Sequence, residues 1–353
     1  MRNSTISIMK GIAIIGVVVG HCGLSQWTDC FVNQWHLAIF FFVAGMCFKE
    51  VYTIRPWQYV WRRIKSLYVP FVKFGLLFLV LHNVLFWMHC AGNEYSFAEV
   101  GKEVFNLTIR LTSCEPLMGA MWFCPALLIT SLLMMFTQII SHNVLNVNKI
   151  KMGGVLVPIM MFVLGYMAIQ LNVKSPYCLW QYMVVTLIMY MGYWFNRYVK
   201  ADEWSIWMNI AVAAVGLSCI VIATNYGFIA QLQPASVNKE SAMALVVVPA
   251  FAGVSIHSLS ALIKKTSLER ILAYIGEHSF SIMALHFLAF KVVNLLQVKM
   301  YGYSITRLAD FPVIEYEGLF IWFLAYVFIG VTLPLILSNF FHLLMSKAER
   351  FRT

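Results

Sequence analysis

Long apolar runs recur along this chain of 353 residues, and most ionisable side chains lie in the stretches between them. Charged residues make up only 11% of the sequence, whereas a soluble domain carries about 25%. So few charges cannot cover a water-facing surface. The pattern therefore predicts an all-α, polytopic membrane helix bundle. No long stretch lacks apolar runs, so residues 1–353 are expected to form a single membrane domain.

Ten segments are apolar enough to be membrane-spanning helices. A spanning helix needs about 20 mostly apolar residues, and each segment meets this length to within a few residues. The predicted spans are residues 10–28, 34–51, 68–89, 119–140, 153–172, 178–196, 205–226, 242–262, 272–296 and 318–345.

Lysine and arginine are unevenly distributed between the two sides of this predicted bundle. If both termini lie on one side, that side holds 17 of the 25 basic residues and the other side holds six. Basic residues collect in cytoplasmic loops, so both termini are predicted to be cytoplasmic. The same rule accounts for the net charge of +10, and no nucleic-acid partner is expected.

The cytoplasmic segment 52–67 alternates aromatic and basic residues, which is typical of an amphipathic helix at a membrane interface. It ends in Arg62, Arg63 and Lys65, three cations within four positions. Such a cluster can hold phosphate groups. The alternative is that these cations only contact lipid headgroups and fix the topology.

Lys10 and His21 flank a wholly apolar run in the first predicted span. Eleven residues make about three helical turns, so both side chains are expected on one helix face, roughly 16 Å apart along the axis. Lys10 would lie at the inner surface and His21 about halfway through the bilayer. A long substrate with an anionic head, such as acyl-coenzyme A, could reach both. The alternative is that Lys10 only anchors the end of a helix.

Three of the histidines inside predicted spans are selected as functional candidates, because ionisable groups are costly there. His21 and His36 lie in successive spans, and His286 lies in the ninth. Neutral histidine is a competent general base near pH 7. The alternative is that each histidine only hydrogen-bonds a neighbouring helix. No metal-binding HExxH or CxxC pattern occurs, so no metal ligands are predicted.

Five segments in order resemble the acyltransferase-3 family of integral membrane acyltransferases. The first segment has Lys10 at the position where the family has Arg, followed by ten apolar residues and His21. The second segment resembles the His-x-x-x-Phe-Phe-Phe-x-Ser-Gly signature of the fucose-4-O-acetylase-like branch, with Ala44 in place of Ser. The third resembles the Arg-Arg…Pro segment, the fourth the Trp-Phe-Leu-x-Ala-Leu element around Trp122, and the fifth the late Gly-x-x-Ser…His helix. They span residues 10–21, 36–45, 62–70, 121–127 and 274–286.

This resemblance implies transfer of an acyl group, usually acetyl from acetyl-CoA, to a hydroxyl of a cell-surface glycan or its lipid-linked precursor. Acetyl-CoA is then a substrate, and no permanently bound cofactor is expected. The location implied is the cell inner (cytoplasmic) membrane, among membrane lipids.

The residue roles follow from the motif positions. His21 and His36 are expected to be catalytic. His21 removes the proton of the acceptor hydroxyl or carries the acetyl group, and His36 orients His21 or acts as the partner acid or base. Lys10, Arg62, Arg63 and Lys65 are expected to bind the donor, and Trp122 and His286 to support the site or the acceptor. Two other functions remain open on sequence: a transporter or flippase for a lipid-linked sugar, and a scaffold whose histidines only pack helices.

Overall fold

Every regular element in the described part of this computed structural model is a helix. The model describes residues 4–112, 115–144, 153–228, 230, 232–233, 237, 239–316 and 320–350. The α-helices are α1 (Ser4–Val19), α2 (Gln26–Asn33), α3 (His36–Met46), α4 (Val51–Ile54), α5 (Pro56–Arg63), α6 (Val69–Trp87), α7 (Phe97–Phe105), α8 (Phe123–Val144), α9 (Gly153–Gln170), α10 (Leu179–Tyr198), α11 (Ile206–Asn225), α12 (Lys239–Ile263), α13 (Leu268–Glu277), α14 (Ser279–Tyr301) and α15 (Phe320–Arg350).

Six helical segments in the described ranges are long and apolar enough to cross a membrane. They are Pro56–Trp87, Pro116–Ser141, Ile206–Asn225, Ala242–Ile263, Ser279–Tyr301 and Phe320–Phe341. The all-α membrane bundle is thereby confirmed, whereas the count of ten spans and the side of the termini stay predictions. Residues 318–319, the predicted start of the tenth span, lie outside the described residues.

The first predicted span, residues 10–28, is wrong at both ends. Helix α1 begins by Ser4 and ends at Val19, so Lys10 lies within the helix and His21 lies in the turn that follows it. Gly23 in that turn has a φ of +70°, a conformation that glycine adopts readily. Ser25 then caps the start of the short helix α2. Lys10 and His21 are therefore not two positions on one uninterrupted helix face.

Other predicted boundaries also differ from the structure. Helix α3 ends at Met46, five residues before the end of the second predicted span, 34–51. The ninth predicted span, 272–296, is divided at His278 into α13 and α14. The predicted interfacial helix 52–67 is not separate from the third span. Helices α5 and α6 are joined by a π-helical turn over Ile64–Tyr68, so that Pro56–Trp87 is one long helical segment.

Helix α3 lies at the centre of the bundle and is buried along nearly its whole length. It crosses α10 where Gly45 meets the backbone of Met189 and Gly192 meets the backbone of Phe42. Small residues allow such close approach of helix backbones in membranes. At the other end of α3, His36 is buried and packs closely against Gly16 of α1.

Helices α1 and α13 make a second close crossing. Gly11 faces the carbonyl oxygen of Leu272, and Gly276 faces that of Ser7, with no room for a side chain at either glycine. Because α14 follows α13 after only one residue, this crossing also places α14 beside α1. It thereby sets the position of His286 relative to His21.

Replacing Gly192 with alanine is expected to destabilise the protein by about 1–3 kcal/mol, the usual cost of overpacking a close-packed interior. The added Cβ would collide with the Phe42 carbonyl, so the helices must separate. The measurement is the thermal unfolding midpoint of purified protein in detergent. Gly101→Ala is the control, because a Cβ at that helical position meets nothing within 4 Å. Equal midpoints for both variants would contradict the close crossing.

Candidate active site

The His21 ring packs against two side chains of α14. Its centroid lies 5.5 Å from that of His286, with the rings 19° from parallel, and 4.8 Å from that of Phe287. His286 and Phe287 are themselves in contact, with ring centroids 4.1 Å apart. Two histidines separated by 265 positions in the sequence thus form one aromatic cluster with Phe287.

His36 and His286 each bind a backbone carbonyl four positions earlier in the chain, which lies in α2 for His36 and within α14 for His286. The Nδ1 atom of His36 lies 2.7 Å from the Val32 oxygen, and that of His286 lies 3.0 Å from the Ile282 oxygen. A carbonyl only accepts, so Nδ1 must donate and Nε2 is left as an acceptor in the neutral ring. The Nε2 of His286 is buried without a hydrogen-bond partner in the described structure. The His286 contact stays within α14, whereas the His36 contact joins α3 to the preceding helix α2.

A cavity of about 360 Å³ connects the predicted catalytic histidines. His21, His36 and Trp122 all line it, together with Asp29, Asn33 and Gln233. His36 and His286 also lie within electrostatic range of the His21 ring. The tertiary structure therefore brings together all four of the predicted catalytic and supporting residues, three of them at the cavity wall and His286 behind His21.

Trp122 is held by a short helix next to this cavity. It ends the 3-10 helix Pro116–Trp122, and Glu115 directly before that helix pairs with the buried ring of His82 in α6. His82 also stacks on Tyr95, with centroids 3.5 Å apart. These buried contacts tie the segment before α8 to α6, and they fix where the Trp122 side chain enters the cavity.

Asp29 is the acidic residue of the cavity wall. Its carboxylate accepts a hydrogen bond of 2.8 Å from the Asn33 amide one turn further along α2. Partial burial raises the pKa of the Asp29 carboxyl above its ordinary value, and the Asn33 hydrogen bond opposes that rise. Asp29 was not among the predicted site residues, although it lies in the polar break between the two apolar runs that carry His21 and His36.

A buried lysine of α14 holds the loop that covers the aromatic cluster. Lys291 Nζ donates to the carbonyls of Leu308 and Asp310 at 2.9 Å and 2.7 Å. The next loop residue, Phe311, packs on Phe287 with ring centroids 4.7 Å apart. The loop is thereby fixed against the same phenylalanine that contacts His21.

Replacing Lys291 with methionine is expected to lower the free energy of unfolding by about 1.5–3 kcal/mol, the value of a hydrogen bond to a charged group. Methionine fills a similar space but leaves the two carbonyls without their donor. Lys299→Met on the same helix is the control, because Lys299 is exposed. Chemical denaturation in detergent measures the difference, and a Lys291 variant as stable as the Lys299 variant would disprove this role.

The four predicted donor-binding cations lie outside the histidine cavity. Lys10, Arg63 and Lys49 lie around Cys47, the residue that follows α3. All three cations lie within electrostatic range of the Cys47 thiol, Arg63 with the strongest interaction. Arg63 Nε is buried with no hydrogen-bond partner in the described residues. Lys49 is a member of this group that the motifs did not indicate.

Arg62 and Lys65 are exposed beside aromatic rings. Arg62 donates a 2.7 Å hydrogen bond to the Tyr52 hydroxyl, and Lys65 lies 5.1 Å from the centroid of the Trp61 ring. None of the four predicted donor-binding cations lines the histidine cavity. The described site thus has two parts, a histidine cavity and a cation group near the other end of α3.

The fold and this site define a multi-pass helical membrane protein with a histidine-lined internal cavity. The acyltransferase domain family matches residues 3–339, so the chain belongs to the acyltransferase-3 family. Membership supports a membrane acyltransferase activity. The match covers the family as a whole, and assignment to the fucose-4-O-acetylase-like branch stays a prediction. No curated protein and no solved structure matches the chain.

Proposed function

We propose that this protein transfers an acetyl group from acetyl-CoA to a hydroxyl of a cell-surface glycan or its lipid-linked precursor. The observation that carries the proposal is the His21 ring, which lines a cavity and stacks on the buried His286. A family of acyltransferases supplies the reaction class. An imidazole at a cavity wall supplies a group that can accept a proton or an acyl group.

The donor binds through its phosphates to the cation group. Lys10 and Arg63 both lie within electrostatic range of Cys47, and the exposed Arg62 and Lys65 extend the positive surface. Charge-assisted hydrogen bonds to phosphate are the strong ones. Both termini lie in the cytoplasm and the protein in the cytoplasmic membrane, so the coenzyme comes from the cytosolic side.

The thioester then extends along α1 toward His21. Lys10 and His21 are eleven residues apart along a mostly helical path, which is roughly 16 Å. The acceptor hydroxyl enters the histidine cavity from the opposite side, past the 90–118 and 297–317 segments. Residues 113–114 and 317 of those segments lie outside the described residues.

His21 completes the transfer by one of two balanced routes. As a general base it takes the proton of the acceptor hydroxyl, whose oxygen attacks the thioester carbonyl. The carbon–sulfur bond breaks and the sulfur receives the proton, which gives the acetyl ester and free CoA. As a nucleophile, His21 instead takes the acetyl group with release of CoA and passes it to the hydroxyl oxygen. His36 acts as the partner acid or base, and His286 holds the His21 ring.

The test mixes purified protein with an equal amount of acetyl-CoA and no acceptor. Release of one CoA thiol per protein supports the nucleophile route. Tight binding of acetyl-CoA without thiol release supports the general-base route. Calorimetry that detects no binding of acetyl-CoA would overturn the proposal, since a transporter of lipid-linked sugars has no reason to bind this coenzyme.

A further inference from the structure

A second cavity of about 590 Å³ adjoins the histidine cavity. Trp122 and Gln233 line both cavities, so the two share a wall. The second cavity lies between the segment that follows α7, the start of α8 and the start of α10. The 3-10 helix Pro116–Trp122 contributes to both, with Ala120 on one side and Met118 and Gly119 on the other.

Arg110 supplies a positive charge to this second cavity. It ends a π-helical turn, and its guanidinium lies 5.6 Å from the centroid of the Phe105 ring. No carboxylate forms an ion pair with Arg110 within the described ranges. Its five donors in a planar fork suit a carboxylate or phosphate group.

Three aromatic side chains, Trp122, Tyr177 and Tyr182, line the same cavity. Aromatic side chains with a polar atom offer an apolar face and a hydrogen-bonding edge. Sugar rings have the matching character, with apolar C–H faces and hydroxyls at their edges. Thr112 and Gln233 add polar groups to the wall. The lining therefore suits a carbohydrate better than a purely apolar chain.

The backbone around the cavity adopts a costly conformation. Five non-glycine residues in the described chain have a left-handed φ, and three of them, Leu111, Tyr177 and Cys178, line this cavity. Such conformations persist only where the surrounding structure enforces them, and they cluster at ligand sites. Their concentration here marks a preformed wall.

We infer that the second cavity is the acceptor subsite and that the acceptor is a carbohydrate with an anionic group, which Arg110 binds. This inference rests on the proposed acetyl transfer. Trp122 is common to both cavities, so a hydroxyl of the bound sugar reaches His21 past its side chain. Asp29 in the histidine cavity repels an anion, which keeps the charged group of the acceptor beside Arg110. The anion is either a sugar carboxylate or the phosphate of a lipid-linked glycan.

Binding to the full-length protein in detergent distinguishes the two sources. The first pair of probes is a glucuronate-containing tetrasaccharide and a neutral N-acetylglucosamine tetrasaccharide. The second pair is farnesyl diphosphate and farnesol. In at least one pair the charged probe is expected to bind about tenfold more tightly or better, as a charge-assisted hydrogen bond implies. A preference for the charged probe in the first pair identifies a carboxylate as the anionic group. A preference for the charged probe in the second pair identifies a phosphate.

The same titrations are repeated with Arg110→Gln, which is expected to remove the preference for the charged probe. Arg110→Lys keeps the charge without the fork and is expected to retain part of it. Lys102→Gln is the matched control, an exposed cation of α7 that is not part of the cavity wall. The inference that Arg110 binds an anionic group of the acceptor is overturned if neither charged probe is preferred, or if Arg110→Gln preserves the preference.

Failure here is distinguishable from failure of the proposed function. Binding of acetyl-CoA and release of its thiol are measured on the wild-type protein without any acceptor, so they do not depend on the second cavity. A protein that binds the donor but shows no Arg110-dependent preference keeps its acetyltransferase assignment and loses the anionic acceptor.

Discussion

Replacing His21 with asparagine is expected to lower the rate of acetyl transfer by about 10²- to 10⁴-fold, the usual contribution of a general acid–base group. Asparagine can neither accept the hydroxyl proton nor carry an acetyl group, whichever route His21 follows. Its size preserves most of the packing against Phe287. The measurement is incorporation of radiolabelled acetyl groups into membranes of the producing cells, which carry their own glycans.

His89→Asn serves as the matched control for the His21 variant. His89 is exposed and has a φ of +58°, a conformation that asparagine tolerates better than most residues. Its activity is expected to equal that of the wild type. A His21 variant with wild-type turnover and a normal unfolding midpoint would exclude His21 from the chemistry and would favour a purely structural histidine.

Removing both central cations, by Lys10→Ala together with Arg63→Ala, is expected to raise the KM for acetyl-CoA about 100-fold or more. Each charge-assisted hydrogen bond to phosphate is worth about 1.5–3 kcal/mol, and about 1.4 kcal/mol corresponds to tenfold in affinity. The kcat is expected to change little, because neither residue lines the cavity that holds His21. Initial rates over a range of acetyl-CoA concentrations separate the two constants.

Lys200→Gln tests whether loss of any cation has the same effect. Lys200 is 80% exposed and pairs with Glu203, so its loss is expected to leave the KM unchanged. Lys10→Arg, which restores the residue typical of the family, is expected to keep or lower the KM because the guanidinium binds phosphate bidentately. A fall in kcat with an unchanged KM in the double variant would contradict a donor-binding role.

The residues of the histidine site were predictable from sequence, because a histidine within an apolar run stands out wherever that run packs. His21, His36 and His286 were selected for this reason together with their positions in the family motifs, whereas His82 and His257, which also lie in apolar runs, were not. The end of α1 was also open to prediction, since Gly20, Gly23 and the capping Ser25 interrupt the apolar pattern. The sequence analysis instead extended the helix to residue 28, and it therefore placed Lys10 and His21 on one helix face.

The second cavity and the lysine that fixes the covering loop were not predictable in this way. Lys291 lies near a predicted span end, where snorkelling to the interface is the ordinary expectation. Only the tertiary structure shows that it turns inward to the carbonyls of Leu308 and Asp310. Arg110 and Tyr177 likewise lie 67 positions apart, and nothing in their local sequences relates them.

The sequence by itself determined that the protein lies in a membrane and that its fold is helical. A chain with so few charges can satisfy its backbone there only as helices or a closed barrel, and the apolar runs of this chain have helical length. It also indicated which side chains are candidates for the chemistry. The tertiary structure decided which of them meet. A helix such as α3, apolar on all sides, has no single face that its periodicity marks for burial. The helices that pack against α3 are determined by shape, at glycine contacts such as Gly192 of α10 with Phe42. A similar contact between α13 and α1, Gly276 with Ser7, places His286 against His21.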